Sequence, residues 1–280
     1  MKLILIISSI ASLLISSESF LISEDGLIGK FNVNAVNKPS PTIIALGGSD
    51  GGMPFEYMTW TGVQERGYNV LQLAYFDYEG LPPSLNNIPL EYFEKAFKWL
   101  SKQKSVVKDN YHLMGISKGA ELSLLLASHY DEIKGVFAMV PSSVVWQGIP
   151  KGMYTGTNSS WTHKDKEIPY VPFGTFDFIS LGKGIIYNEW IDYYDNALAN
   201  AEESSFIKVE NIDAPIILIS GKHDQIWPSE KMCNQIIDRL EKNNFKYDFE
   251  HIALDTDHFL FSSDEEIIDI IVTKIRDFFN

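Results

Sequence analysis

Residues 115–119 read Gly-Ile-Ser-Lys-Gly, and they fall between a short apolar run, 111–114, and an apolar helix-like run, 120–129. A Gly-x-Ser-x-Gly pentapeptide at a strand-to-helix junction constrains the backbone severely. The serine must occupy a sharp turn that lifts its hydroxyl clear of the sheet. The flanking glycines remove side chains that such a turn would crowd, and the following helix aims its positive end at the same point. Five residues with three fixed recur by chance, so the flanking runs carry the weight: in their setting the pentapeptide reads as a nucleophile elbow with Ser117 as the nucleophile.

The rest of the chain alternates in the same way. Residues 20–23 and 27–33 read as a strand pair around Asp25-Gly26, and 41–46, 68–75, 135–140, 215–220 and 247–254 as further strands. Helices are expected over 55–66, over 89–102 with Pro89 in the first turn, and over 192–203. A last helix is expected to start near Ser262 or Ser263, each followed three residues later by Glu265 or Glu266 in a capping-box pattern. This alternation predicts an α/β fold, a mostly parallel sheet with helices on both faces. Residues 142–200 break the rhythm with Gly, Pro, Ser and many aromatics, and show little periodicity before 192. They are read as a cap-like insertion over the catalytic edge whose aromatics, Trp161 among them, build an apolar acyl pocket.

A serine nucleophile needs a base and a group to orient it. Asp224 follows the 215–220 run, at the C-terminal end of a strand, where open α/β sheets place their chemistry. His258 follows the 247–254 run, on a loop before the final helix. Among the six histidines, His223 is the rival, but it precedes the acid and breaks the chain order serine, acid, histidine. His112 is read as a packed strand residue, His129 as a cation at a helix end, His163 as part of a polar stretch and His251 as a strand residue. The oxyanion donors are sought in Gly47-Gly48-Ser49-Asp50-Gly51-Gly52, after the 41–46 strand: the N–H of Ser49 or Gly48, joined by the N–H of Lys118. The Lys118 side chain itself is read as solvated. No Lys-Ser or Lys-Thr ends the glycine run, so it is not a Walker loop.

Three strings carry a family resemblance: Gly-Ile-Ser-Lys-Gly-Ala-Glu-Leu at 115–122, Gly-Lys-His-Asp-Gln-Ile-Trp-Pro-Ser at 221–229, and Ala-Tyr-Phe-Asp-Tyr-Glu-Gly-Leu-Pro at 74–82 followed by Ile-Pro-Leu-Glu-Tyr-Phe at 88–93. From about residue 41 onward the chain resembles the acyl-CoA thioesterase and bile-acid-CoA:amino-acid N-acyltransferase family, specifically its C-terminal α/β-hydrolase domain. The resemblance implies an α/β-hydrolase fold and a triad of Ser117, Asp224 and His258 acting on acyl thioesters. Serine at the elbow, where the amino-acid-transferring members carry cysteine, favours hydrolysis. The family's thioesterases usually carry a β-sandwich domain ahead of this one, and none is expected within these 280 residues. Asp257 precedes His258 where the family often has glycine, and a nearby carboxylate favours an imidazolium.

A length of 280 residues with 45% apolar content suits one α/β-hydrolase domain, residues 20–280. The formal charge of −14 argues against nucleic acid as a partner. The expected partner is a small-molecule acyl ester or acyl-CoA, with no metal or organic cofactor. Residues 1–19 combine Met1-Lys2, an apolar stretch and the small residues Ser17 and Ser19, and read as a secretory signal peptide too short to span a bilayer. Export, secreted or periplasmic and with no stable membrane span, is expected if it is cleaved, and a cytoplasmic location otherwise. Cys233 is the single cysteine, which rules out an internal disulfide and suits a small buried helix residue. Two other readings stand beside the thioesterase: an exported carboxylesterase or lipase-like enzyme on oxygen esters, and a catalytically silent hydrolase-fold binding protein.

Overall fold

The computed structural model describes residues 18–34, 38–54, 62–149, 157–174, 178–262 and 265–279. Its strands are β1 (Ser19–Glu24), β2 (Leu27–Asn32), β3 (Ser40–Leu46), β4 (Asn69–Ala74), β5 (Ile88–Pro89), β6 (Val106–Ile116), β7 (Ile133–Met139), β8 (Trp161–His163), β9 (Lys166–Glu167), β10 (Ile216–Gly221) and β11 (Phe249–Leu254). The helices are α1 (Glu91–Leu100), α2 (Lys118–Ala127), α3 (Phe178–Tyr187), α4 (Ile191–Leu198), α5 (Ser229–Lys242) and α6 (Glu265–Phe278).

Among the described residues eight strands form one sheet in the order β1-β2-β4-β3-β6-β7-β10-β11. β1, β2 and β4 pair antiparallel; every pairing from β4 through β3 to β11 is parallel. This is the expected α/β-hydrolase class. The side-chain alternation of the strands splits the core into two layers. Ile44, Leu46, Leu71, Leu73, Leu113, Val136 and Leu218 pack with α1, α2 and α5, while Ile43, Ala45, Val70, Met114, Phe137 and Ile219 pack with Ile271 and Ile275 of α6. α1 shows why sequence pattern sufficed there: Tyr92, Phe93, Ala96, Phe97 and Leu100 recur at helical spacing and are its buried face. α2 differs, since all its residues are buried and it runs through the interior behind the elbow.

Several boundaries depart from expectation. Pro89 lies in β5, paired with Thr162 of β8, so α1 starts at Glu91. The helix expected over 55–66 falls partly outside the described residues, and 63–67 form a turn. The helix expected over 192–203 ends at Leu198, and 203–205 are a short 3-10 turn. α3 is not foreseeable from propensity, because Gly182 and Gly184 weaken a helix. Gly184 is needed for packing: a Cβ there would lie 2.5 Å from the Trp190 indole. α6 starts at Glu265; Ser263 lies outside the described residues, and Ser262 belongs to a 3-10 turn. Of the expected leader, residues 1–17 lie outside the described residues, and Ser19 pairs with Asn32 in β1. Cys233 is buried in α5, as expected. No helix among the described residues is long and apolar enough to cross a membrane.

Candidate active site

Ser117 stands alone between the end of β6 and the start of α2, with φ 55° and ψ −121°. A non-glycine residue held there costs about 1–3 kcal/mol, so the surroundings must enforce it. The Ser117 N–H donates to the Met139 carbonyl at 2.9 Å, and the Ser117 carbonyl accepts from the N–H groups of Ala120 (2.9 Å) and Glu121 (3.0 Å). The two glycines have specific reasons. A Cβ on Gly115 would lie 2.2 Å from the Gly119 carbonyl oxygen, and one on Gly119 would lie 2.3 Å from the carbonyl oxygens of both Leu46 and Gly47. The turn is therefore packed backbone to backbone against the end of β3.

Asp224 follows β10 and is 3% exposed; His258 follows β11 and is 7% exposed. Asp224 Oδ1 accepts from the N–H groups of Ile226 (2.9 Å) and Trp227 (3.2 Å), which turns Oδ2 toward His258 Nδ1 at 2.8 Å. His258 Nε2 then lies 3.0 Å from Ser117 Oγ. With Nδ1–H donating to the carboxylate, Nε2 offers its lone pair to the serine hydroxyl. Gly221 lets the two loops touch, since a Cβ there would meet the Asp257 carbonyl oxygen at 2.4 Å. The Trp227 ring packs edge-on to the imidazole at 5.8 Å, and its Nε1–H donates to the Val140 carbonyl at 3.2 Å.

The glycine loop runs beside the serine: a Cβ on Gly48 would lie 3.3 Å from Ser117 Cβ. Tyr75 anchors this loop by donating its hydroxyl to the Gly47 carbonyl at 2.5 Å, and burial pushes the phenol well above its ordinary pKa. Ser49 lies on the adjoining exposed turn and lines the cavity. Lys118 is the first residue of α2, so its N–H has no acceptor within the helix.

Other residues fall elsewhere. His223 is exposed and paired with Asp255 at 2.8 Å. His163 meets Glu91 at 3.1 Å, and His251 meets Ser220 Oγ at 2.8 Å. His112 packs between Tyr68 and Phe279, as expected of a strand residue. His129 lies beyond the end of α2, where burial holds its pKa down. Asp257 caps the Phe259 N–H at 2.7 Å. Two readings need correction. The Lys118 side chain is not solvated but 3% exposed and ion-paired with Glu121 at 2.6 Å, because the first turn of α2 is interior. Trp161 does not line the cavity; it is fully buried, its Nε1–H donating to Glu121 Oε1 at 2.8 Å.

A cavity of about 510 Å³ opens over Ser117 and His258. Phe173, Trp190, Tyr193 and Tyr194 come to it from the 142–200 stretch, and Phe259, Leu260 and Phe261 from the segment after His258. That second set went unnoticed in the sequence, although an apolar Phe-Leu-Phe directly after the histidine was its signal. Among the described residues no group of His, Cys, Asp and Glu is arranged to hold a metal ion.

Comparison with known proteins gives the family and the fold. The family model described as BAAT / acyl-CoA thioester hydrolase C terminal matches residues 88–261. Human acyl-coenzyme A thioesterase 1 is 30% identical over 203 residues, 72% of this chain and 45% of that protein. Rat acyl-coenzyme A thioesterase 1 is 32% identical over 203 residues, 72% of this chain and 44% of that protein. The chain thus spans less than half the length of these curated relatives. Among solved structures, Pyrococcus horikoshii acylaminoacyl peptidase superposes with a TM-score of 0.60 at 14% identity, covering 94% of this chain and 41% of that one. A 2,6-dihydroxy-pseudo-oxynicotine hydrolase superposes with a TM-score of 0.58 at 14% identity, covering 94% and 68%. Both are likenesses of fold. With the family model matched over more than half of the chain, the chain belongs to the BAAT / acyl-CoA thioester hydrolase C-terminal family.

Proposed function

We propose that this protein hydrolyses acyl thioesters through a covalent acyl-serine. The observation that carries the reading is the single imidazole bridging Ser117 Oγ and Asp224 Oδ2 beneath an apolar cavity. His258 Nε2 takes the Ser117 proton as Oγ attacks the acyl carbonyl, and the imidazolium formed is stabilised by Asp224. The N–H groups of Lys118 and of Ser49 or Gly48 hold the oxyanion. The intermediate collapses with loss of the thiol, which takes the proton from His258. Water, deprotonated by the same imidazole, then releases the acid and restores Ser117. The 142–200 stretch serves as the cap, and its aromatic side chains on the cavity wall receive the acyl chain.

Oxygen esters are the second reading, favoured by the leader-like residues 1–19, since export would take the protein away from coenzyme A. One experiment tests both. A fluorophosphonate probe followed by peptide mapping is expected to mark Ser117, and a panel of palmitoyl-CoA and matched p-nitrophenyl esters ranks the leaving groups. An unlabelled, folded protein overturns the serine reading and favours a binding protein. N-terminal sequencing from the native host decides whether residues 1–19 are removed.

A further inference from the structure

The proposed chemistry leaves an ion pair unused beneath the elbow. Lys118 Nζ lies 2.6 Å from Glu121 Oε2 and donates to Ser160 Oγ at 2.9 Å, with the two charged side chains 3% and 0% exposed. Glu121 Oε1 accepts from Trp161 Nε1–H at 2.8 Å and from the Trp146 N–H at 3.3 Å. Ser160 Oγ in turn donates to the Trp146 carbonyl at 2.9 Å. The first turn of α2 is thereby fastened by two side chains to Trp146, Ser160 and Trp161.

Stability does not explain the pair. Burial works against both charges, pushing the ammonium down and the carboxyl up, and replacing both partners of such a pair by uncharged groups is often neutral. Its location is more telling. Lys118 follows Ser117 directly, so the peptide that carries the proposed oxyanion donor is continuous with a side chain locked at its far end. We propose that Lys118 is a positioning residue: its buried ammonium, tied to Glu121 and Ser160, fixes the plane of the Ser117–Lys118 peptide so that its N–H points at the oxygen that gains charge. This rests on the reading of Ser117 as nucleophile.

Two variants test it. Ser160→Ala removes one anchor and leaves the ion pair. The double variant Lys118→Met with Glu121→Gln removes both charges yet keeps an acceptor for Trp161 and Trp146. Ser160→Ala is expected to lower kcat several-fold and the double variant about 10- to 100-fold, each with KM within about two-fold of wild type, because a donor misplaced by a fraction of an ångström loses transition-state contact only. Inhibition by an alkyl trifluoromethyl ketone supplies the second readout. Ser117 Oγ bonds to the ketone carbon, its proton passes to His258 Nε2, and the carbonyl electron pair ends on oxygen as an alkoxide in the same hole. Its inhibition constant is expected to rise in parallel with the loss in kcat/KM. Unchanged kcat, a rise confined to KM, or lost kcat without weaker inhibition overturns the proposal. Should the double variant fail to fold, Ser160→Ala decides. Fluorophosphonate labelling of the wild type separates the two layers: no labelling overturns the nucleophile reading, whereas labelling with unaffected variants overturns positioning alone.

Discussion

At the level of single side chains, Asp224 is fixed before it meets its histidine, because two backbone N–H groups hold Oδ1 and turn Oδ2 outward. Asp224→Asn keeps the shape but presents an amide N–H or a weaker acceptor to Nδ1, favouring the tautomer that cannot take the serine proton. A drop in kcat of about 10⁴-fold with folding intact is expected, read by steady-state hydrolysis beside circular dichroism. Gly119 is constrained by space. A methyl group there meets two carbonyl oxygens at 2.3 Å, so β3 and α2 must part. Gly119→Ala is expected to cost about 1–3 kcal/mol in urea unfolding and to lower kcat as well, since the same shift moves Ser117.

Elements reveal how much the sequence could tell. The parallel strands were legible because short apolar runs ending in Gly or Asp have few alternatives, and Ser117, Asp224 and His258 each sit at the end of such a run. α1 was legible from its spacing, and α3 was not, because Gly182 and Gly184 lower its helix propensity and Gly184 answers to packing against Trp190. The aromatic stretch misled in one respect: composition marks residues as apolar, but long-range bonds decide which become core. Trp161 hydrogen-bonds to Glu121 inside the molecule, while Phe173 faces the cavity. Trp161→Ala is therefore expected to destabilise by about 3–5 kcal/mol in denaturant unfolding. Phe173→Ala is expected to raise KM several-fold for long acyl chains and leave acetyl substrates unchanged. A chain-length-selective effect at Trp161 instead would reverse this assignment.

For the molecule as a whole, acid sensitivity is expected to have a named source outside the active site. His112 lies against Tyr68 and Phe279, and burial lowers its pKa to about 4 from the ordinary 6.5. The unfolded chain takes up this proton below 6.5 and the folded chain not until about 4. Stability is therefore whole above that window and falls by up to about 3 kcal/mol as pH drops through it. Urea unfolding at pH 7 and at pH 4.5 measures the loss, and His112→Phe is expected to shrink the difference. The cavity wall has a consequence of another kind. Trp190 is partly exposed there, beside Asn188 and Tyr193, whereas Trp146, Trp161 and Trp227 are enclosed in the interior. A guest that expels water from around that indole will shift its emission to shorter wavelength, giving an optical titration of occupancy that needs no dye and, in Ser117→Ala protein, no turnover.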